Sequence, residues 1–180
     1  LDNTKKVDEL FQSISELDSV NCVGLMGYEA QIAGVRDRLY NNPVLDFIVG
    51  LLKKLSVKKV YDLRAYATKV ASGKFSLSFV NGGGTGSLEV TAKDHSVTEI
   101  TVGSGYFAPA LFDGYKKRFH PSLGYAMAVQ RIPGDNLITV HGGGYVASGS
   151  VGRDKAPVIM SPKGAELLTN EMAGEVQTPI

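Results

Sequence analysis

Apolar residues recur at three- and four-residue intervals near the start of the chain, at Val7, Leu10, Phe11, Ile14 and Leu17. This spacing predicts an amphipathic helix over 4–17, with Asp2 or Thr4 as N-cap. Val20-Asn21-Cys22-Val23-Gly24-Leu25-Met26 then reads as a buried strand ending at Gly27-Tyr28-Glu29. A polar, aromatic turn at a strand end is the usual functional edge of an α/β protein. Asn42-Pro43 marks a helix start, and apolar positions continue through Val44, Leu45, Ile48, Leu51, Leu52 and Leu55. Ser56 is placed to re-cap a second helix, Val57 to Ala71, stopped by Gly73. Phe75 to Val80 reads as a strand, Thr91 to Ser96 as a short polar connection, and Val97 to Val102 as a further strand. Helix, strand, helix, strand, strand over the first 107 residues predicts parallel α/β architecture.

After Pro121 the pattern changes. Tyr125, Met127, Val129 and Arg131 alternate with Ala126, Ala128 and Gln130, Pro133-Gly134-Asp135 forms a turn, and Leu137 to Val140 reads as a short strand. Short strands separated by glycine and proline predict a β-rich second module. The chain therefore divides into 1–120 and 121–180.

The chemistry-bearing feature is Asn81-Gly82-Gly83-Gly84-Thr85-Gly86-Ser87, set directly after an apolar run. A strand that opens into glycines lets its backbone approach a ligand, and successive N–H groups with Thr and Ser hydroxyls suit a phosphate. Gly103-Ser104-Gly105-Tyr106-Phe107 follows the next apolar run and offers a second such strand end. Tyr28 sits on a third, where its ring can flank a planar cofactor or its hydroxyl meet a phosphate. The loop is neither a P-loop, lacking Gly-Lys-Ser/Thr, nor a dinucleotide fingerprint, lacking the Gly-x-Gly-x-x-Gly spacing and a long following helix. Gly142-Gly143-Gly144-Tyr145-Val146-Ala147-Ser148-Gly149 is a second dense glycine run, read as a tight β-corner or as an approach to a cofactor. Without further information the loops fit either a phosphate cup or simple turns.

Charge and composition narrow the partners. Of 180 residues, 43% are hydrophobic and the net charge is +1, which provides no field for a polyanion and argues against nucleic acid. No apolar run approaches a membrane span. No signal peptide is visible, and a start at Leu1 rather than Met leads us to expect the natural start elsewhere. The single cysteine, Cys22, lies in an apolar segment, reads as a buried structural thiol, and fits a reducing cytoplasm. His95, His120 and His141 stand at no metal-ligand spacing, and no zinc motif exists.

Taken in order, Gly24-Leu25-Met26-Gly27-Tyr28-Glu29, Asn81 to Ser87, Val97-Thr98-Glu99 leading to Gly103-Ser104-Gly105-Tyr106-Phe107, Gly142 to Gly149, and Ala173-Gly174-Glu175-Val176-Gln177-Thr178-Pro179 resemble the fold-type III pyridoxal 5'-phosphate (PLP) enzymes. The branch they resemble is that of D-threonine aldolase and D-serine dehydratase, the alanine-racemase-like amino acid deaminases and aldolases. The resemblance implies an incomplete PLP-binding TIM-type β/α barrel over 1–120, followed by part of a β-rich C-terminal domain over 121–180. It implies a lyase or racemase acting on D- or β-hydroxy amino acids. Gly82, Gly83, Gly84, Thr85, Gly86, Gly103 and Ser104 would hold the PLP phosphate, with Tyr28 and Tyr106 beside the cofactor. In this family the cofactor-bonding lysine lies on the first barrel strand, and no lysine before Gly24 fits that role. A divalent metal site lies near the family's C-terminus, past Ile180. The expectation is a fragment that is inactive alone and associates as a homo-oligomer or with further segments of its own chain. Nothing in the sequence assigns a catalytic residue. A different class of protein, a non-catalytic α/β module that binds a nucleotide or sugar phosphate, fits the same glycine loops.

Overall fold

Asn3, rather than Asp2 or Thr4, opens the first helix, its side chain accepting the Lys6 N–H at 2.9 Å. That bond satisfies one of the donors a helix start leaves unpaired. Helix α1 spans Thr4–Ser15 in the computed structural model, which describes residues 3–38, 42–116, 119–145, 152 and 155–180. Its buried stripe, Val7 and Phe11, meets Ala71, Ala67, Val70 and Leu63 of a second helix and Leu25 and Leu77 of the sheet layer. Phe11 and Phe75 stack at a tilt with centroids 6.2 Å apart. Cys22 packs against this cluster but is only half-buried, where its apolar setting predicted a buried thiol.

Strand β1, Gly24–Gly27, is shorter than the apolar run that contains it, because its ladder starts where Gly24 meets Phe79. The Phe79 ring covers Gly24 closely, so a Cβ there would displace it. A short helix not evident in the sequence, α2 (Ala30–Ala33), follows at once. Pro43–Ser72 then forms one helix, α3, of 30 residues, capped by the Asn42 side chain at Val44 and Leu45. Ser56 does not restart it. The Leu- and Lys-rich sequence on both sides favours helix, and a lone Ser without a break in the backbone leaves no reason to stop.

Strand β2 is Phe79–Gly82, displaced toward the glycines from the expected 75–80, since Phe75 and Leu77 serve the core instead. A 3₁₀ turn (Thr85–Ser87) and a one-turn helix, α4 (Leu88–Thr91), lead on to β3, Glu99–Ile100. The three strands pair in parallel in the order β1-β2-β3, so their C-terminal ends lie on one edge. The parallel α/β expectation for this part of the chain therefore holds.

The chain forms two compact units, Leu1–Gly103 with Gly114–Lys117, and Ser104–Asp113 with Arg118–Ile180. In the second, β4 (Val129–Gly134) and β5 (Leu137–His141) make an antiparallel hairpin. Its turn falls on Asp135-Asn136, one residue later than the Pro-Gly-Asp signal suggested, with Asn136 at φ +59°. A strand missed in the sequence, β6 (Gln177–Pro179), pairs with β5. Among the described residues the architecture is thus mixed α/β with two three-stranded sheets and no closed barrel. No described helix is long and apolar enough to cross a membrane.

Phe11→Ala is expected to destabilise the first unit by about 3–5 kcal/mol, while Leu51→Ala, on the exposed face of α3, changes stability by less than about 0.5 kcal/mol. Urea unfolding followed by helical circular dichroism measures both.

Candidate functional site

Beneath the C-terminal edge of the parallel sheet lies an ionic cluster that the sequence did not announce. Arg64 of α3 is buried, and its Nη2 donates to the Glu29 carboxylate and to the Gly27 carbonyl, the latter at 3.3 Å. Its Nη1 donates to Asp94 at 2.6 Å. The Ser87 hydroxyl reaches Glu29 Oε2 at 3.2 Å, and the Thr91 hydroxyl reaches Glu29 Oε1 at 3.4 Å. Asp94 accepts the Ser96 N–H at 2.9 Å and the Ser96 hydroxyl at 2.6 Å. One guanidinium thus ties the end of β1, the turn after β2 and the approach to β3. Glu29 was legible only as part of the polar turn after β1. Arg64 and Asp94 carried no signal, since neither stands in a motif or beside its partner in the sequence.

The glycine loop lies over this cluster. Gly83 adopts φ +95°, which a residue with a side chain rarely takes. A Cβ on Gly82 would stand 3.1 Å from the guanidinium and from Thr91. On Gly84 it would meet the Tyr28 ring at 2.6 Å, and on Gly86 the Tyr115 ring at 2.5 Å. The Gly84 N–H donates to the Ser87 hydroxyl at 3.1 Å, and Thr85 and Ser87 are buried. Much of the glycine run therefore serves close packing against the protein's own side chains, and the Ser87 hydroxyl is occupied within the protein, 3.2 Å from Glu29 Oε2 and 3.3 Å from the Gly84 carbonyl.

The structure brings several predicted site residues together. Tyr28 stands beside Gly84 and is 61% exposed. The Thr101 N–H donates to the Gly82 carbonyl at 3.0 Å, so β3 runs alongside β2, and Gly103 follows two residues later. A side chain at Gly103 would meet no described atom within 4 Å, so the main chain there is open. Ser104 and Tyr106 belong to a 3₁₀ turn in the second unit, where Tyr106 is 81% exposed. In that same unit Gly143 and Gly144 pack tightly, and a Cβ on Gly143 would lie 2.5 Å from the Thr178 hydroxyl. Val146 to Gly149 lie outside the described residues. His141 bonds Gln130 through Nδ1 at 3.1 Å. Among the described residues, no three His, Cys, Asp or Glu side chains stand together as a metal-binding group.

A second charged contact braces the first unit. Asp37 accepts from Lys53 at 2.7 Å and from the Lys116 N–H at 2.8 Å, and Lys53 lies 5.1 Å from the centre of the Tyr115 ring. The Tyr115 hydroxyl donates to the Ala33 carbonyl at 2.6 Å, pinning the ring over Gly86. Burial pushes the Tyr115 phenol up, with the neighbouring Tyr28 and Asp37 adding to it. Burial also pushes the Asp37 carboxyl up, but the Lys53 and Lys116 hydrogen bonds and the charges of both lysines outweigh it and hold it below the ordinary value.

No protein-family model matches this chain, and no curated protein matches its sequence. Among solved structures, the chain is similar to the crystal structure of D-threonine aldolase from Filomicrobium marinum, with a TM-score of 0.68 and 18% identity over 96% of this chain. At that identity the likeness is one of fold. The chain spans 42% of the length of that aldolase.

A depressed carboxyl stabilises the fold above its unfolded pKa of about 4, and the contribution is lost as pH falls through the folded value. Asp37→Asn is therefore expected to lower the Tm at pH 7, with the gap to the parent closing in acid; thermal melts between pH 7 and pH 2 read this. Gly86→Ala is expected to cost about 1–3 kcal/mol by overpacking against Tyr115, whereas Gly103→Ala stays within about 0.5 kcal/mol. Paired urea titrations compare the two.

Proposed function

We propose that the C-terminal edge of the parallel sheet binds the phosphate of PLP, and that the protein serves PLP-dependent lyase or racemase chemistry on D- or β-hydroxy amino acids. The observation that carries this is the pairing of β2 with β3 in parallel, which directs the Gly82–Thr85 loop and Gly103 to one edge. Phosphate sites in β/α barrels form most often from the loops after two neighbouring strands. The donors fit a phosphate chiefly through main chain: Gly103 is open, Gly83 needs no Cβ, and the two nearby carboxylates are turned inward onto Arg64. The fold likeness to a D-threonine aldolase points the same way.

Gly82, Gly83, Thr85 and Gly103 would hold the phosphate, with Gly84, whose N–H is already given to Ser87, shaping the loop, and Tyr28, whose ring packs on Gly84, would lie beside the cofactor. Gly86 contributes by letting Tyr115 close against the loop. Fixing the phosphate orients the ring and so selects which bond of the amino acid is aligned for breaking. PLP, when bound, supplies an electron sink for the charge that develops at the amino acid's Cα.

A second reading, a module for a nucleotide or sugar phosphate, is favoured by one fact. With the Ser87 hydroxyl occupied by Glu29 and the Gly84 carbonyl, a main-chain donor set recognises a phosphate whatever it is attached to.

Titration of the chain with PLP, pyridoxal, ATP and glucose 6-phosphate, read by calorimetry, separates the two. The expected result is binding of PLP, little binding of pyridoxal, and weakening of PLP binding by Thr85→Val and Gly103→Val. Equal affinity for ATP or glucose 6-phosphate favours the second reading. Absence of binding by any phosphate overturns both.

A further inference from the structure

Arg64 touches no surface at which a ligand could arrive, yet every segment of the proposed phosphate site leans on it. Its Nη2 fixes the Glu29 carboxylate, and Glu29 Oε2 takes the Ser87 hydroxyl at 3.2 Å. The Ser87 oxygen in turn takes the Gly84 N–H at 3.1 Å. A continuous relay therefore runs from guanidinium to carboxylate, to hydroxyl, to the peptide at the centre of the glycine loop. Through Nη1, the same guanidinium holds Asp94, which ties down Ser96 ahead of β3. Its flat face fills the space beneath Gly82, where a Cβ would stand 3.1 Å from both Cζ and Nη2.

We infer that Arg64 is a positioning residue that sets the glycine loop and the start of β3 in the conformation that receives the phosphate; this rests on the phosphate reading above. The role needs a guanidinium. Two carboxylates and a carbonyl lie in different directions around Arg64, and only a rigid planar fork meets all three at once. A lysine would keep the charge but reach one partner at a time. Ionised, the two acids outnumber the single cation, so loss of Arg64 leaves like charges facing each other under the loop. The expected consequence is local: residues 82–96 loosen while the α1–α3 core, built from Val7, Phe11 and Ala71, stays closed.

The test compares Arg64→Lys and Glu29→Gln with Val7→Ala, which weakens the core away from the loop. Two measurements are made on each folded protein: amide hydrogen exchange by mass spectrometry, and PLP affinity by calorimetry. Arg64→Lys is expected to speed exchange across 82–87 by about tenfold or more, as loss of a charged hydrogen bond does, and to leave α1 as in the parent. Glu29→Gln is expected to move exchange in 82–87 the same way while keeping the shape of the side chain. Val7→Ala is expected to speed exchange in α1 and leave both the loop and PLP affinity unchanged. In both loop variants PLP affinity falls. Arg64 is merely structural, and the inference fails, if Arg64→Lys leaves exchange in 82–87 unaltered or speeds it equally in loop and core. If the parent chain binds no PLP, the phosphate reading falls, and the exchange pattern alone still decides whether Arg64 sets the loop. An Arg64→Lys chain that loosens the loop yet binds PLP as tightly as the parent also overturns the inference.

Discussion

A buried guanidinium shared between two carboxylates is the constraint around which the first unit is arranged. Taking such ions out of water is costly, and their mutual attraction offsets the cost only when each remaining polar atom finds a partner. Here partners are supplied: Ser87 for Glu29, with the Thr91 hydroxyl shared between Glu29 and the Ser87 carbonyl, Ser96 for Asp94, and the Gly27 carbonyl for the rest of Arg64. These groups come from the end of β1, the turn after β2 and the lead into β3. A hydrophobic residue in place of Arg64 could fill the volume but could not fix the directions of three separate segments.

That arrangement changes what the glycines mean. A run of glycines after a strand invites the idea that the missing side chains make room for a ligand. In this protein Gly82 makes room for Arg64, Gly84 for Tyr28 and Gly86 for Tyr115. The two roles are compatible, because a loop drawn tightly against its own protein has a defined main-chain geometry, and a main-chain anion site needs nothing else. Gly103 differs: it has open space beside it and no packing reason to lack a side chain.

The legible parts of the fold were those with local causes. The spacing of Val7, Phe11 and Ile14, the Asn42-Pro43 start and the apolar runs before each glycine segment all act over a few residues, and α1, α3 and the parallel strands follow from them. The boundaries moved where tertiary demands took over, as when Phe75 and Leu77 left the strand for the core. The ionic cluster was invisible because Arg64 finds Glu29 and Asp94 at separations of 35 and 30 residues. Nothing in the neighbourhood of any one of them encodes the pairing. The convergence of the glycine loop with the second strand end was anticipated from their order along the chain, and it depends on β2 and β3 being neighbours, which only the ladder reveals. Strand β6 escaped notice for the same reason, since Gln177-Thr178-Pro179 has no strand pattern and is recruited by the edge of β5.

Helix α3 is about 45 Å long, by its 30 residues and the usual rise. Its last turns are gripped by α1 and by the Arg64 cluster, whereas Val44, Phe47, Ile48, Leu51 and Leu52 on its first turns face outward. Asp37 and Lys53 form the one ionic tie described near its middle. Such a helix behaves as a cantilever, with hydrogen bonds that open at progressively lower free energy toward the free end. Fraying that begins at Pro43 can travel several turns before it disturbs Arg64, so the rod can breathe without disturbing the geometry at its clamped end.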